Sequence, residues 1–145
     1  MTIIRMNESH VLQIAELEKS CFNDPWSVNS ITSELDNRLS LWLVAVAEDQ
    51  VVGYVGSQTV LGETDMMNIA IHPDYRKQGL ATKLILELSR QLIECGSHGL
   101  MLEVRASNEP AKSLYQKLGF ETVGIRRNYY RNPKEDALIL RKELF

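Results

Sequence analysis

Cysteine is scarce in this chain: Cys21 and Cys95 are the only two in 145 residues, far apart and outside any CxxC spacing. That excludes a disulfide framework and a thiolate zinc site, and it leaves two small hydrophobes suited to burial in a reducing compartment. Histidine is equally sparse, and His10, His72 and His98 fall without HExxH or similar spacing, so no metal is expected. Cations are not in excess: 16 Lys and Arg against 19 Asp and Glu give a formal net charge of -3. Such a balance speaks against bulk nucleic-acid binding. No apolar run approaches the roughly 18 residues of a membrane span. The first residues, MTIIRMNESH, lack the apolar core and cleavage site of a signal peptide. A cytoplasmic protein is expected. No repeat, low-complexity segment or linker interrupts it, so residues 1–145 read as a single domain whose apolar core needs no staple.

What is present is punctuation. TIIRM reads as a first strand. SHVLQIAELEKSC places Val11, Ile14, Leu17 and Glu18 at helical spacing, with Ser9 as N-cap and Pro25 as the stop. Ser27 then caps a second helix, VNSITSELDN. LWLVAVAE and VVGYVGSQTV are β-rich runs separated by hairpin punctuation at Asp49 and Gln50, and GET leads into the strand DMMNIAI. A long amphipathic helix runs from Leu80 to Cys95, with Leu84, Leu88, Leu92 and Cys95 as its inner stripe and Gly96 as its stop. LMLEVRA is an apolar strand. NEPAKSLYQKLGF is a short helix between Pro110 and Gly119. ETVGIRR and DALILRKEL are the last strands, joined by NYYRNPKE. The order β-α-α-β-β-β-α-β-α-β-β implies an α/β (α+β) domain with a mixed sheet. Ligands in such sheets bind where strand ends meet helix N-termini.

One such place stands out. HPDYRKQGLATKL joins a strand to the long helix through two adjacent cations and one glycine. N–H groups at a helix start have no intrahelical acceptors, and the helix dipole adds about half a positive charge there. Gly79 allows close approach and a positive φ, Ala81 keeps the next turn small, and Arg76, Lys77 and Lys83 supply charge. This is the make-up of a phosphate cradle, or else of an ordinary turn with solvated cations. It fits neither GxxxxGK[ST] nor GxGxxG. YRKQGLATKL resembles the acyl-CoA loop of the GNAT superfamily of N-acetyltransferases, [QR]-x-x-G-x-[GA], with Arg76, Gly79 and Ala81 at its fixed positions. The element order resembles that fold over essentially the whole chain. The resemblance implies that the loop from Arg76 through Lys77, Gln78, Gly79, Leu80, Ala81 and Thr82 holds the pyrophosphate of acetyl-CoA. It also implies a splay between the fourth and fifth strands. The pantetheine arm would lie there along the main chain of Ile69, Ala70 and Ile71, and would meet the side chain of Asn108, which also reads as a helix N-cap. Ala81, where relatives often carry Gly, is a small departure.

Acetyl transfer from a thioester to an amine needs a neutral amine, a stabilised oxyanion and a proton for the thiolate. Glu103 interrupts the apolar strand LMLEVRA and is the candidate base; the plain alternative is a strand carboxylate paired with an Arg. Tyr115, protonated at neutral pH, is the candidate acid, or else an aromatic packed on the sheet. In the GNAT superfamily a Tyr in LY-x-K-x-GF points at the CoA sulfur, and Tyr115 matches it. CFNDPWS, EVRASN and RRNYYRNPKEDALIL resemble the bacterial ribosomal-protein-alanine N-acetyltransferases known as RimI. That narrower resemblance implies direct transfer of acetyl to the N-terminal alanine of a small-subunit ribosomal protein, a basic partner, with no direct nucleic-acid or membrane contact. Tyr129 and Tyr130 would line the entrance for the peptide. Glu135 and Asp136 would attract its basic tail, or else form a solvated turn. Two other readings stay open: acetylation of a lysine side chain or small amine, and a non-catalytic acyl-CoA-binding module.

Overall fold

Two tight turns set the sheet. Glu48 and Asp49 take φ of 50° and 63°, and Leu61 and Gly62 take 51° and 81°. Paired left-handed residues of this kind close two-residue hairpins with a twist that matches the flanking strands. The structure, a computed structural model, describes residues 1–144. The two turns make an antiparallel meander of β2 (Ser40–Ala47), β3 (Gln50–Val60) and β4 (Glu63–Ile71), with β1 (Thr2–Arg5) alongside β2. β5 (Gly99–Arg105), β6 (Glu121–Tyr130) and β7 (Glu135–Glu143) complete a seven-stranded sheet in the order β1-β2-β3-β4-β5-β7-β6. β4 and β5 run parallel, and the other neighbours run antiparallel. This is the mixed sheet expected from the element order.

Helices cover the two faces unequally. α1 (Val11–Cys21) and α2 (Val28–Leu35) lie on one face, where Val11, Ile14, Leu17 and Ile31 meet Trp42, Val44, Tyr54 and Ala70. α3 (Leu80–Glu94) and α4 (Glu109–Lys117) cover the other, where Leu80, Leu84, Leu88, Leu92 and Tyr115 pack against Leu43, Val55, Leu100, Leu102 and Val104. Burial of a Leu of this kind contributes about 1.5–3 kcal/mol. Because side chains alternate along a strand, Met101, Glu103 and Arg105 of β5 point to the α1 face. The helices on that face contact β2, β3 and β4, so the β5-β7-β6 half stays open.

Some boundaries differ from expectation. The first helical turn is capped by Asn7, whose Oδ1 accepts the N–H of Ser9 at 2.9 Å, rather than by Ser9. A short 3-10 turn, Glu8–His10, precedes α1. Ser27 caps α2 as expected, accepting the N–H of Ser30 at 3.1 Å. Cys95 is exposed, not buried, because it is the C-cap beyond the last full turn of α3, and Cys21 is half-buried. β6 runs on to Tyr130, so Tyr129 and Tyr130 stand on a strand end rather than in a loop. No helix among the described residues is long and apolar enough to cross a membrane.

The expected splay is present. β4 and β5 pair only where Glu63, Thr64 and Asp65 face Gly99, Leu100 and Met101. Beyond that, a bulge displaces Met67: Ser57 pairs with Met66 while Gly56 pairs with Asn68. Bulges bend and twist the strand that carries them. β4 turns away, and its edge from Met66 to Ile71 has no partner on the β5 side. Gly56 is required at the bend: a Cβ there would lie 2.5 Å from Cε2 of Trp42, whose ring crosses the strand at that point.

Candidate active site

The open edge of β4 leads directly into the basic loop. His72 donates its N–H to Val52 of β3 at 2.8 Å. Successive residues of a strand present their N–H and C=O groups to opposite edges, so Ala70 also bonds toward β3. Ile69 and Ile71 present theirs to the splay. The carbonyl of Ile71 accepts from Arg76 Nε at 3.0 Å, and Arg76 Nη2 reaches Cys21 Sγ at 3.4 Å. The Arg76 side chain, expected to face an anion, is thus turned back to satisfy the strand end and tie it to α1. The orphan carbonyl there is the physical reason.

The loop itself is held open. Lys77 and Gly79 both take left-handed conformations, with φ of 62° and 77°. Gly79 is the N-cap of α3 and gives no side-chain cap, and the first helical bond runs from Lys83 N to Gly79 O at 3.1 Å. The N–H groups of Leu80, Ala81 and Thr82 therefore have no intrahelical acceptor. Those of Lys77, Gln78 and Gly79 also meet no backbone acceptor among the described residues. A Cβ built on Gly79 finds nothing within 4 Å. A row of free donors over open space at the positive end of a 15-residue helix fits a pyrophosphate. Asn108 caps α4, its Oδ1 accepting the N–H of Ala111 at 3.2 Å, which leaves its NH₂ free.

On the open face, Glu103 accepts from Arg126 Nε at 3.2 Å and is partly exposed. Its carboxylate is the first cause of a raised pKa at Tyr129, with burial second. Tyr129 and Tyr130 meet edge to face at 5.1 Å, and Arg105 lies 4.3 Å over the Tyr130 ring. Tyr115 is 6% exposed and packs edge to face on Phe120 at 5.4 Å. Burial, then the nearby Tyr130, pushes its phenol up to about 12. Every fully buried side-chain oxygen among the described residues has a hydrogen-bond partner. The Tyr115 hydroxyl has none there, so its tip reaches solvent. Glu135 and Asp136, by contrast, are spent locally: Glu135 accepts from Ser107 N at 2.6 Å and Arg105 Nη1 at 3.2 Å, and Asp136 accepts from Asn128 N at 2.8 Å. Both brace turns.

Residues 11–120 match the model of the acetyltransferase (GNAT) family. The chain belongs to that family. It is 38% identical over 131 residues to the [ribosomal protein bS18]-alanine N-acetyltransferase of Haemophilus influenzae, covering 88% of each chain. The crystal structure of the ribosomal-protein-S18-alanine N-acetyltransferase from Escherichia coli superposes with a TM-score of 0.91 at 34% identity, over 99% of this chain and 93% of that one. An aminoglycoside 6′-N-acetyltransferase complexed with coenzyme A shares the fold, with a TM-score of 0.86 at 17% identity over 100% of this chain and 98% of that one. Within the family, the chain therefore sits among the ribosomal-protein-alanine N-acetyltransferases.

The acetyltransferase also contains a buried carboxylate that the pattern of its sequence did not mark as polar. Glu18, fully buried under α1, accepts from Trp26 N at 2.8 Å, from the Tyr54 hydroxyl and from Asn68 Nδ2 at 2.8 Å. Burial raises its pKa, and its bonds to Trp26 and Asn68 oppose that rise. Helical spacing placed Glu18 on the inner face; its partners, 36 and 50 residues away, carry no local signal.

Proposed function

We propose that this protein is a single N-acetyltransferase domain, residues 1–145. It moves acetyl from acetyl-CoA to the N-terminal alanine amine of a small-subunit ribosomal protein in the cytoplasm, with no direct contact to nucleic acid or membrane. The observation that carries the reading is the unpaired edge of β4 ending at the free amides of α3. A linear molecule with amide groups at one end and a pyrophosphate at the other fits that path. Ile69 and Ile71 offer it main-chain bonds on either side of Ala70, and Asn108 offers a side-chain NH₂. Lys77, Gln78, Gly79, Leu80, Ala81 and Thr82 offer backbone donors. Arg76 adds charge while bracing the strand end.

The chemistry follows from the open face. An amine arriving there meets Glu103, which takes its proton directly or through one water. Such general-base help is worth about 10²–10⁴-fold. The neutral amine attacks the thioester carbonyl and the oxyanion is met by an N–H at the end of β4. As the C–S bond breaks, Tyr115 gives its proton to the departing thiolate and the new amide nitrogen releases its second proton to solvent. Tyr115 suits this role because burial keeps it protonated to about pH 12. An α-amine, with a pKa of about 7.7–8.0, asks less of a carboxylate shared with Arg126 than a lysine at about 10.4. Tyr129, half exposed beside Glu103, lines the entrance with Tyr130.

The test is thiol release from acetyl-CoA with two peptide sets. One has free N-terminal alanine; the other is N-blocked and contains lysine. Turnover of the first set is expected, and turnover of the blocked peptides alone overturns the assignment.

A further inference from the structure

Glu18 does more than fill a buried site. A carboxylate can only accept, so the atom of Asn68 that faces Glu18 Oε2 at 2.8 Å must be the NH₂. That settles the orientation of the amide, and Oδ1 is turned the other way. Among the described residues, no donor reaches Oδ1. Asn68 is only partly buried, and it is the first paired residue after the bulge, beside Ile69 on the open edge. Its side chain lies on the α1 face, the same face as Glu103. A free acceptor thus stands on the side from which an amine approaches Glu103, fixed by a buried carboxyl group that is itself anchored by Trp26 and Tyr54.

We propose that Asn68 Oδ1 accepts an N–H from the first residue of the amine substrate, and that Glu18 is the positioning residue that turns the amide to do so. The inference rests on the amine-acetylation reading above. It explains why a buried glutamate, costly without partners, is surrounded by donors from the α1–α2 connection, β3 and β4 together. Its bond to Trp26 also fixes the CFNDPWS segment against the same floor.

Three variants test it. Asn68→Ala removes the acceptor. Glu18→Gln keeps the shape but reverses the amide. The Trp26 N–H still requires an oxygen, so the glutamine carbonyl takes the Oε1 place and its NH₂ takes that of Oε2. Asn68 must then present Oδ1 inward and its NH₂ to the substrate, donor against donor. Adding Asn68→Asp to Glu18→Gln supplies one oxygen for the glutamine NH₂ and a second for the substrate. All are assayed on whichever amine the wild type turns over best in a panel of free-alanine and N-blocked lysine peptides. The panel judges the substrate reading, and the variants judge this inference. Both single variants are expected to lower kcat/KM for the amine by on the order of tenfold or more, with the acetyl-CoA KM within about twofold, and the double variant to recover most of the loss. Melting curves report any loss of fold. Wild-type kcat/KM for the amine in either single variant, no recovery in the double, or an equal rise in the acetyl-CoA KM overturns the proposal.

Discussion

Gly79 and Gly96 stand at opposite ends of α3 with nearly the same backbone: φ of 77° and 86°, and nothing within 4 Å of an added Cβ. Alanine at either position carries the same left-handed penalty, about 1–2 kcal/mol, and clashes with no protein atom. For a chain of this size that is a drop in Tm of roughly 3–7 °C. The two sites differ in what they face. Gly79 lies among the free amides, where a phosphate oxygen must come within hydrogen-bond distance, while Gly96 lies beyond the far end. Losing one charge-assisted N–H bond to phosphate costs about 1.5–3 kcal/mol, on the order of tenfold or more in Kd. Gly79→Ala should therefore weaken acetyl-CoA by at least tenfold in calorimetric titration. Gly96→Ala should melt at the same temperature yet bind like wild type. Equal affinity in the two variants would refute the cradle, because backbone strain is then all that either substitution contributes.

Glu103→Gln should slow turnover by about 10²–10⁴-fold; a wild-type kcat removes Glu103 as the base. Tyr115→Phe should lower kcat and leave acetyl-CoA affinity unchanged. Because the Tyr115 pKa is raised to about 12, its proton stays in place below that pH and is lost only above it. Wild-type kcat, followed to pH 10, should thus show no alkaline fall that Tyr115→Phe abolishes; such a fall contradicts the assignment. Gly56→Ala would set a Cβ 2.5 Å from Trp42, an overpacking worth about 1–3 kcal/mol, measurable by urea unfolding; a wild-type midpoint contradicts it.

The order of elements was legible because each boundary has a local cause. Pro25 bars continuation of α1 beyond its end at Cys21, and Ser27 starts α2. The first hairpin turns at Glu48 and Asp49, one residue before the punctuation read at Asp49 and Gln50. Gly96 and Gly119 stop α3 and α4 with φ of 86° and 94°. The glycine turn into α3 was legible for the same reason, with Gly79 at φ 77°. What escaped reading depends on residues distant in the chain. Cys95 falls on the helical stripe, but the helix ends one residue too soon to bury it. Arg76 carries the expected charge, yet an orphan carbonyl at Ile71 claims its guanidinium. Glu135 read either as an attractor for a basic tail or as part of a solvated turn, and the bonds it makes to Ser107 and Arg105, across 28 and 30 residues, could not be read locally. The floor made by Glu18, Tyr54 and Asn68 needs α1, β3 and β4 already in place.

On the proposed function an α-amine, not a side chain, receives the acetyl group. The most direct measurement offers the enzyme one peptide with a free N-terminal alanine and an internal lysine, with acetyl-CoA, and locates the added acetyl by fragment mass spectrometry. Acetyl on the terminal alanine alone is the predicted result; acetyl on the lysine Nζ with the α-amine left free would contradict it.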